Sequence, residues 1–277
     1  MPENYSPIGV FDSGYGGLTV LKELKKHLPE YDYIYLGDNA RTPYGTRSFE
    51  VVYEYTLEAV KKLFSMGCHL VIIACNTASA KALRNIQQLD LPKIDSSKRV
   101  LGVIRPSVER VVEITKNGRI GVLGTVGTVT SESYLMEIQK IAGDRKITAV
   151  QEACPMWVPI VENNEVGTSG AEYFIEKNIK GLLQKDNKID TLILGCTHYP
   201  ILINSIKKYL PNDVIIIEQG NIIAEKLMDY LKRHPEIEQK ITKEKRINFF
   251  TTESKEIFEQ KASLFYGQSL TAESIHF

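Results

Sequence analysis

Two stretches of this chain are apolar enough to be buried on both faces, and each ends in a cysteine. One is Leu70-Val71-Ile72-Ile73-Ala74-Cys75-Asn76-Thr77; the other is Leu192-Ile193-Leu194-Gly195-Cys196-Thr197-His198. An unbroken apolar run of this length, rich in β-branched residues, reads as a strand covered on both sides. Strands of that kind belong to parallel sheets flanked by helices. Any fold assigned to the chain must therefore account for two thiols placed alike, each at a strand end and each followed by small polar residues.

The rest of the chain repeats the alternation. Pro7 to Phe11 and Tyr33 to Leu36 read as strands, and Leu18, Leu21 and Leu24 as the buried face of the helix between them. Ser48 is placed to cap a long helix with Val52, Thr56, Val60 and Leu63 on one face. Strands are expected at Val100–Ile104, Arg119–Leu123, Ile147–Val150, Val214–Ile217 and Ile247–Phe250. Helices are expected from about Pro106, over Thr130–Ile141, Gly170–Leu183 and Ile222–Leu231, and from Ser254. Glu152–Pro159 reads as an irregular loop, and Lys232–Arg246, dense in both charges, as solvated surface.

Strand–helix alternation of this kind predicts an α/β fold with parallel sheets covered on both faces. Gly9-Val10-Phe11-Asp12-Ser13-Gly14 and Ala74-Cys75-Asn76-Thr77 in the first half are echoed by Gly121-Val122-Leu123-Gly124-Thr125 and Gly195-Cys196-Thr197-His198 in the second. The echo suggests an internal duplication, hence two similar lobes with a site in the cleft between them. Leu91–Lys98 is the clearest linker and Leu210-Pro211-Asn212 a second crossing. The expected division is 1–97 plus 212–277 for one lobe and 98–211 for the other.

Lys+Arg and Asp+Glu are balanced at 34 each, so no net field points to nucleic acid or an anionic membrane. No apolar run approaches the about 18 residues a membrane span needs, and Met1–Tyr5 lacks a signal peptide's basic and apolar regions. A cytoplasmic protein is expected. Four cysteines in 277 residues, none spaced Cys-x-x-Cys, are individual thiols rather than a disulfide framework.

In open parallel sheets, ligands bind beyond the carboxyl ends of the strands. Cys75 and Cys196 both sit there, each next to an expected helix start whose dipole would lower a thiol pKa from about 8.5 toward neutrality. Cys68 and Cys154, without polar neighbours, read as core residues. Asp12, in Asp12-Ser13-Gly14-Tyr15-Gly16-Gly17, stands where a dinucleotide's pyrophosphate would need to approach, and the third glycine of that fingerprint is missing. The stretch suits a small substrate's ammonium, or Asp12 simply caps the next helix. Pro43-Tyr44-Gly45 can offer N–H groups and a phenol to a carboxylate, or be only a turn. His198 can assist Cys196 or cap a helix. Glu162, among Val158-Pro159-Ile160-Val161, is either a buried acid or a surface residue after a bend. Gly121, Gly124 and Gly127 read as structural. Cys196 and His198 are too few ligands for a metal site, and no lysine lies in a pyridoxal-phosphate motif, so no cofactor or metal is expected. Two thiols flanking one small molecule suit stereoinversion: one takes a proton from carbon while the other delivers one to the opposite face.

At these residues the chain resembles the cofactor-independent aspartate/glutamate racemases, over nearly its whole length, and more closely their glutamate-specific branch. The resemblance is carried by Gly9–Thr19, by Gly37-Asp38-Asn39-Ala40-Arg41-Thr42-Pro43-Tyr44-Gly45, by Ala74–Ala78 and by Gly195-Cys196-Thr197-His198-Tyr199-Pro200. It implies that Cys75 is the base for D-glutamate and Cys196 the base for L-glutamate, with Asp12 assisting the first and His198 and Glu162 the second. It implies substrate contacts from Asp12, Ser13, Tyr44, Gly45, Asn76, Thr77, Thr197 and His198, a homodimer, and a product that feeds peptidoglycan synthesis. One departure is Glu218-Gln219-Gly220, where the family often has Asp-Ser-Gly; it lies outside the catalytic motifs. The other readings are a racemase of aspartate or another acidic amino acid, a catalytically silent carboxylate-binding protein, and a redox or zinc protein built on Cys75, Cys196 and His198.

Overall fold

The structure, a computed structural model, describes residues 5–277. Met1–Asn4, and with them most of the segment read above for a leader, lie outside the described residues. Among the described residues, ten strands form two parallel sheets. β1 (Ile8–Asp12), β2 (Tyr33–Gly37), β3 (Leu70–Ile73), β4 (Arg99–Gly102), β9 (Ile247–Thr251) and β10 (Ala272–Ser274) form the first, in the order β10-β9-β2-β1-β3-β4. The second contains β5 (Arg119–Gly124), β6 (Thr148–Ala153), β7 (Thr191–Gly195) and β8 (Ile215–Ile217), in the order β6-β5-β7-β8.

The core of the first sheet, β2-β1-β3-β4, has the same strand order as the whole second sheet. Cys75 follows β3 and Cys196 follows β7, the equivalent strands of the two sheets. That correspondence is what the repeated apolar-strand-then-cysteine pattern anticipated. The strands β1, β2, β3 and β7 are buried along their full lengths, as continuous apolar runs with helices on both sides require. Among the described residues, no helix is long and apolar enough to cross a membrane.

Local chemistry sets the helix starts. The Ser48 and Ser254 hydroxyls cap helices Phe49–Ser65 and Lys255–Tyr266 by accepting from Val51 N–H and Ile257 N–H, and Thr168 and Thr125 do the same for their helices. The expected helix over Thr130–Ile141 is broken: Val126–Thr130 ends, Glu132 takes a left-handed φ of 55°, and Ser133–Ala142 begins on a new axis. The expected loop at Glu152–Pro159 instead completes β6 and opens helix Trp157–Glu162, because Trp157, Ile160 and Val161 are buried one helical turn apart.

The sheets change partners later than the expected limits at 97/98 and 211/212. β4 pairs with β3 in register Leu70↔Arg99, so the first sheet runs to Gly102, and helix Ile104–Ile114 leads to β5. β8 pairs with β7, so the second sheet runs to Ile217 before helix Gln219–Arg233 packs back on helix Leu18–His27. The two polar, proline-containing segments mark surface turns ahead of edge strands, not sheet changes. Leu91–Ile94 ends a helical run that begins at Leu83 and passes through a π-helical turn at Ile86–Asp90, just before Pro92, and Asp95–Lys98 is the turn that closes it.

Candidate active site

A cavity of about 110 Å³ lies between the carboxyl ends of the two sheets. Each segment reaching it continues a parallel strand: Ser13 after β1, residues 42–46 after β2, 75–77 after β3, Thr125 and Val126 after β5, Cys154 and Pro155 after β6, and 196–198 after β7. This is the position parallel α/β sheets offer to ligands, because the strand ends diverge there and helix N-termini face in.

Cys75 is the N-cap of helix Asn76–Lys81, and Ala78 N–H donates to its sulfur at 3.4 Å. Ser13 Oγ is 3.4 Å from the same sulfur. Both contacts favour a thiolate, yet burial, reinforced by the Asp12 charge, pushes the Cys75 thiol up to about 12. The lowered pKa expected from the helix start is thus reversed here: desolvation of a nearly enclosed sulfur outweighs one helix end.

Cys196 has a different neighbourhood. Its sulfur is 3.9 Å from His198 Nδ1, and His198 Nε2 is 2.9 Å from Glu162 Oε1. The His198 ring meets Phe265 edge-on, with centroids 5.0 Å apart. Burial alone would pull the imidazole down, but hydrogen bonds to Cys196 and Glu162 outweigh it and hold His198 up, at about 10. Glu162, not its exposed neighbour Glu165, is the carboxylate that faces the imidazole.

Asp12 is wholly buried behind the cavity wall. Its Oδ2 accepts from Gly14 N–H at 3.0 Å, and its Oδ1 has no partner among the described residues. Burial raises its pKa, with His198 opposing the shift. Asp12 and Glu162 therefore sit one layer back, while Ser13, Tyr44, Gly45, Cys75, Asn76, Thr77, Cys196, Thr197 and His198 line the cavity itself.

Tyr44 differs from the expectation. Its hydroxyl donates to Asp38 Oδ2, which also accepts from Arg41 Nε at 2.7 Å, so the phenol's one proton is committed to a buried carboxylate. Burial and the Asp38 charge push that phenol well above its ordinary range. What the Pro43-Tyr44-Gly45 turn offers a ligand is therefore backbone rather than hydroxyl.

Two glycines let the halves meet. A Cβ on Gly16 would lie 2.6 Å from His198 Nδ1 and 2.8 Å from its Cε1, so only glycine lets the β1 loop approach this residue. Gly45 O accepts from Gly127 N–H at 2.7 Å, and a Cβ on Gly45 would meet Thr125 Cβ at 2.9 Å. Thr77 Oγ1 lies 2.9 Å from Thr125 Oγ1 and 3.3 Å from Thr128 Oγ1, a hydroxyl cluster joining the two sheets.

Sequence reasoning passed over Thr42, Thr46, Thr125, Val126, Cys154, Pro155 and Val158 as lining residues. Thr125 was within reach, since it follows β5 as Ser13 follows β1 under the internal repeat. Cys154 is buried, as expected of a core thiol, but one side of it borders the cavity. The Glu218-Gln219-Gly220 stretch lies outside the catalytic motifs in sequence but reaches one of them in space. Gln219 Oε1 accepts from Asn76 Nδ2 at 2.6 Å, on the residue next to Cys75. Among the described residues, no group of three or more His, Cys, Asp or Glu side chains is set to hold a metal ion.

Residues 16–227 match a family model described as Asp/Glu/Hydantoin racemase. A glutamate racemase of Persephonella marina is 41% identical over 269 residues, spanning 97% of this chain and 96% of its own length. The glutamate racemase isoform RacE1 of Bacillus anthracis superposes with a TM-score of 0.88 at 37% identity, covering 99% of this chain and 98% of that one. The Francisella tularensis glutamate racemase in complex with D-glutamate superposes with a TM-score of 0.86 at 32% identity, covering 99% and 98%.

Proposed function

The chain belongs to the Asp/Glu/hydantoin racemase family, and on that premise we propose that it interconverts L- and D-glutamate by proton transfer at Cα between Cys75 and Cys196. The observation that carries the reading is the pair of sulfurs on equivalent strands of two sheets, both lining one small cavity. Glutamate rather than aspartate is favoured by relatives named glutamate racemase that align over nearly their whole length.

The two sulfurs work from unlike surroundings. Burial and the Asp12 charge hold the proton on Cys75. A substrate ammonium near Asp12 would offset that buried negative charge and remove part of the penalty on a Cys75 thiolate. The thiol then gives its proton to solvent as D-glutamate binds, and the thiolate takes the α-proton while Cys196, protonated by His198, delivers one to the opposite face. On the other face, His198, kept protonated by Glu162, stabilises a Cys196 thiolate for L-glutamate and returns a proton to it in the reverse direction. Ser13, Asn76, Thr77, Thr197 and the backbone around Gly45 would orient the two carboxylates. No metal or organic cofactor enters the scheme. We further place the enzyme in the cytoplasm as a homodimer whose D-glutamate supplies peptidoglycan synthesis, as the family resemblance implies.

The test is isotope exchange. In deuterated water the wild type should incorporate deuterium at Cα starting from either enantiomer of glutamate, and faster than from aspartate. Cys75→Ser and Cys196→Ser should each stop racemisation. Undiminished turnover by both single variants would refute the two-thiol mechanism, and preferred turnover of aspartate would refute the substrate assignment.

A further inference from the structure

Asn76, the residue after Cys75, is held by a buried network reaching it from the second half of the chain. Tyr134 Oη donates to Asn76 Oδ1 at 2.6 Å, and Asn76 Nδ2 donates to Gln219 Oε1 at 2.6 Å. Gln219 Nε2 donates in turn to Tyr134 Oη and to Ser107 Oγ, both at 2.8 Å, and lies 3.2 Å from Asn76 Oδ1. Ser107 Oγ donates to Val103 O at 2.7 Å, which leaves its lone pairs free to accept from Gln219. Asn76, Tyr134, Ser107 and Gln219 are all buried.

With the amides oriented this way, every hydroxyl proton in the network is already placed. Each hydroxyl has a single proton, already given by Ser107 to a carbonyl and by Tyr134 to Asn76. Only an amide at position 219 can then give two N–H groups to those hydroxyl oxygens while its oxygen accepts from Asn76. A carboxylate could accept but not donate, and an aliphatic side chain could do neither. Asn76 is thereby fixed in one orientation, with one Nδ2 hydrogen used and the other without a protein partner among the described residues, on a side chain that lines the cavity. Helices Ile104–Ile114, Ser133–Ala142 and Gln219–Arg233 supply the three fixed points.

We propose that Gln219 is a positioning residue, locking the Asn76 amide so that its free N–H meets a substrate carboxylate. The proposal rests on the racemase reading above and adds to it a residue that touches neither substrate nor sulfur. A misdirected Asn76 would weaken ground state and transition state alike, so the loss should appear in KM rather than in kcat.

The experiment measures steady-state racemisation of glutamate by wild type, Gln219→Leu and Gln219→Glu from pH 5.5 to 9, beside thermal melts of each protein. Gln219→Leu should raise KM about tenfold at every pH, the effect of one well-placed hydrogen bond, with kcat within about threefold of wild type. Gln219→Glu should approach wild-type KM at the acid end, where a protonated carboxyl regains a donor, and lose it as pH rises. This pH-dependent rescue keeps the question open to refutation even if the leucine variant does not fold. A KM unchanged in both variants, or a lowered melting point with KM unchanged, would overturn the positioning role. A wild type that neither racemises glutamate nor exchanges its α-hydrogen would instead overturn the racemase reading, and the proposal with it.

Discussion

Replacing Gly16 with alanine is the sharpest perturbation of the contact between the two halves. The new Cβ would stand 2.6 Å from His198 Nδ1 and 2.8 Å from its Cε1, where 3.4 Å is the lower edge of ordinary contact. Something must therefore yield by about 0.6–0.8 Å, set by these two distances against normal van der Waals separation. Thr197 can swing its hydroxyl aside, but the His198 ring is held at Nε2 by Glu162 at 2.9 Å and on its edge by Phe265. Either the ring withdraws from its place beside Cys196, or the β1 loop lifts away and carries Ser13 from Cys75. Displacements near 1 Å at a reacting centre cost about a hundredfold in rate, whereas overpacking of this kind costs about 1–3 kcal/mol of stability. We expect Gly16→Ala to fold, to melt a few degrees lower, and to lose about two orders of magnitude in kcat for both enantiomers. The assay follows optical activity from pure L- and pure D-glutamate, with circular dichroism as the check on folding. A folded variant turning over at the wild-type rate would refute the argument that this backbone approach positions the catalytic groups.

Glu162→Gln removes the partner that helps hold His198 up, so burial should pull the imidazole pKa below its wild-type value of about 10, as imidazole NMR titration would read. The linkage sign follows from a folded pKa above the ordinary 6.5: the pair's stabilisation is fully present below 6.5 and fades as pH rises through about 10. The stability gap between wild type and Glu162→Gln should therefore be widest near the acid end of that window; a gap that widens toward alkaline pH would contradict it. Cys75, pushed up to about 12, should react with iodoacetamide in the glutamate-free protein at a rate still climbing past pH 10. A plateau near neutrality, absent from Cys75→Ser, would show a thiolate that the burial argument forbids. Tyr44→Phe deletes a hydroxyl whose proton is given to Asp38, so KM for glutamate should change less than about threefold while stability falls by about 1 kcal/mol. A tenfold rise in KM would place that hydroxyl on the substrate after all.

The parts of the fold legible in the sequence were those with a local cause. Continuous apolar runs at Leu70–Ile73 and Leu192–Leu194 announced strands buried on both faces, and Ser48 and Ser254 marked helix starts through hydroxyls that satisfy free N–H groups. Sheet membership was not legible, because pairing is a long-range property. Arg99–Gly102 and Ile215–Ile217 are edge strands with mixed burial, and nothing in their composition says which sheet they join. The site divides in the same way. Cys75 and Cys196 could be found because strand ends in parallel sheets are where ligands bind, and Thr125 could have been found by applying the repeat once more. The commitment of Tyr44 to Asp38, six residues away, depends on how one loop turns, and that of Gln219 depends on side chains remote in sequence: Gln219 joins Asn76, Ser107 and Tyr134 only after two sheets have closed on each other.

The repeat makes the two sulfurs alike in backbone position but leaves them unlike in chemistry. Cys75 has a helix N–H, the Ser13 hydroxyl and the buried Asp12; Cys196 has an imidazole backed by a carboxylate. A racemase cannot turn that difference into a preferred product, since enantiomers in water have equal free energy and kcat/KM must match in the two directions. The asymmetry can only redistribute each direction's common efficiency between kcat and KM. A base held as a thiol until an ammonium arrives charges its cost to binding, which raises KM, while the sulfur on the other face has the protonated His198 beside it to stabilise the charge it carries in the reaction. D-Glutamate, assigned to Cys75, should therefore show both the higher KM and the higher kcat, in the same ratio. Equal constants for the two enantiomers would mean that substrate binding levels the two thiols before any proton moves, and the difference between their surroundings would then have no kinetic consequence.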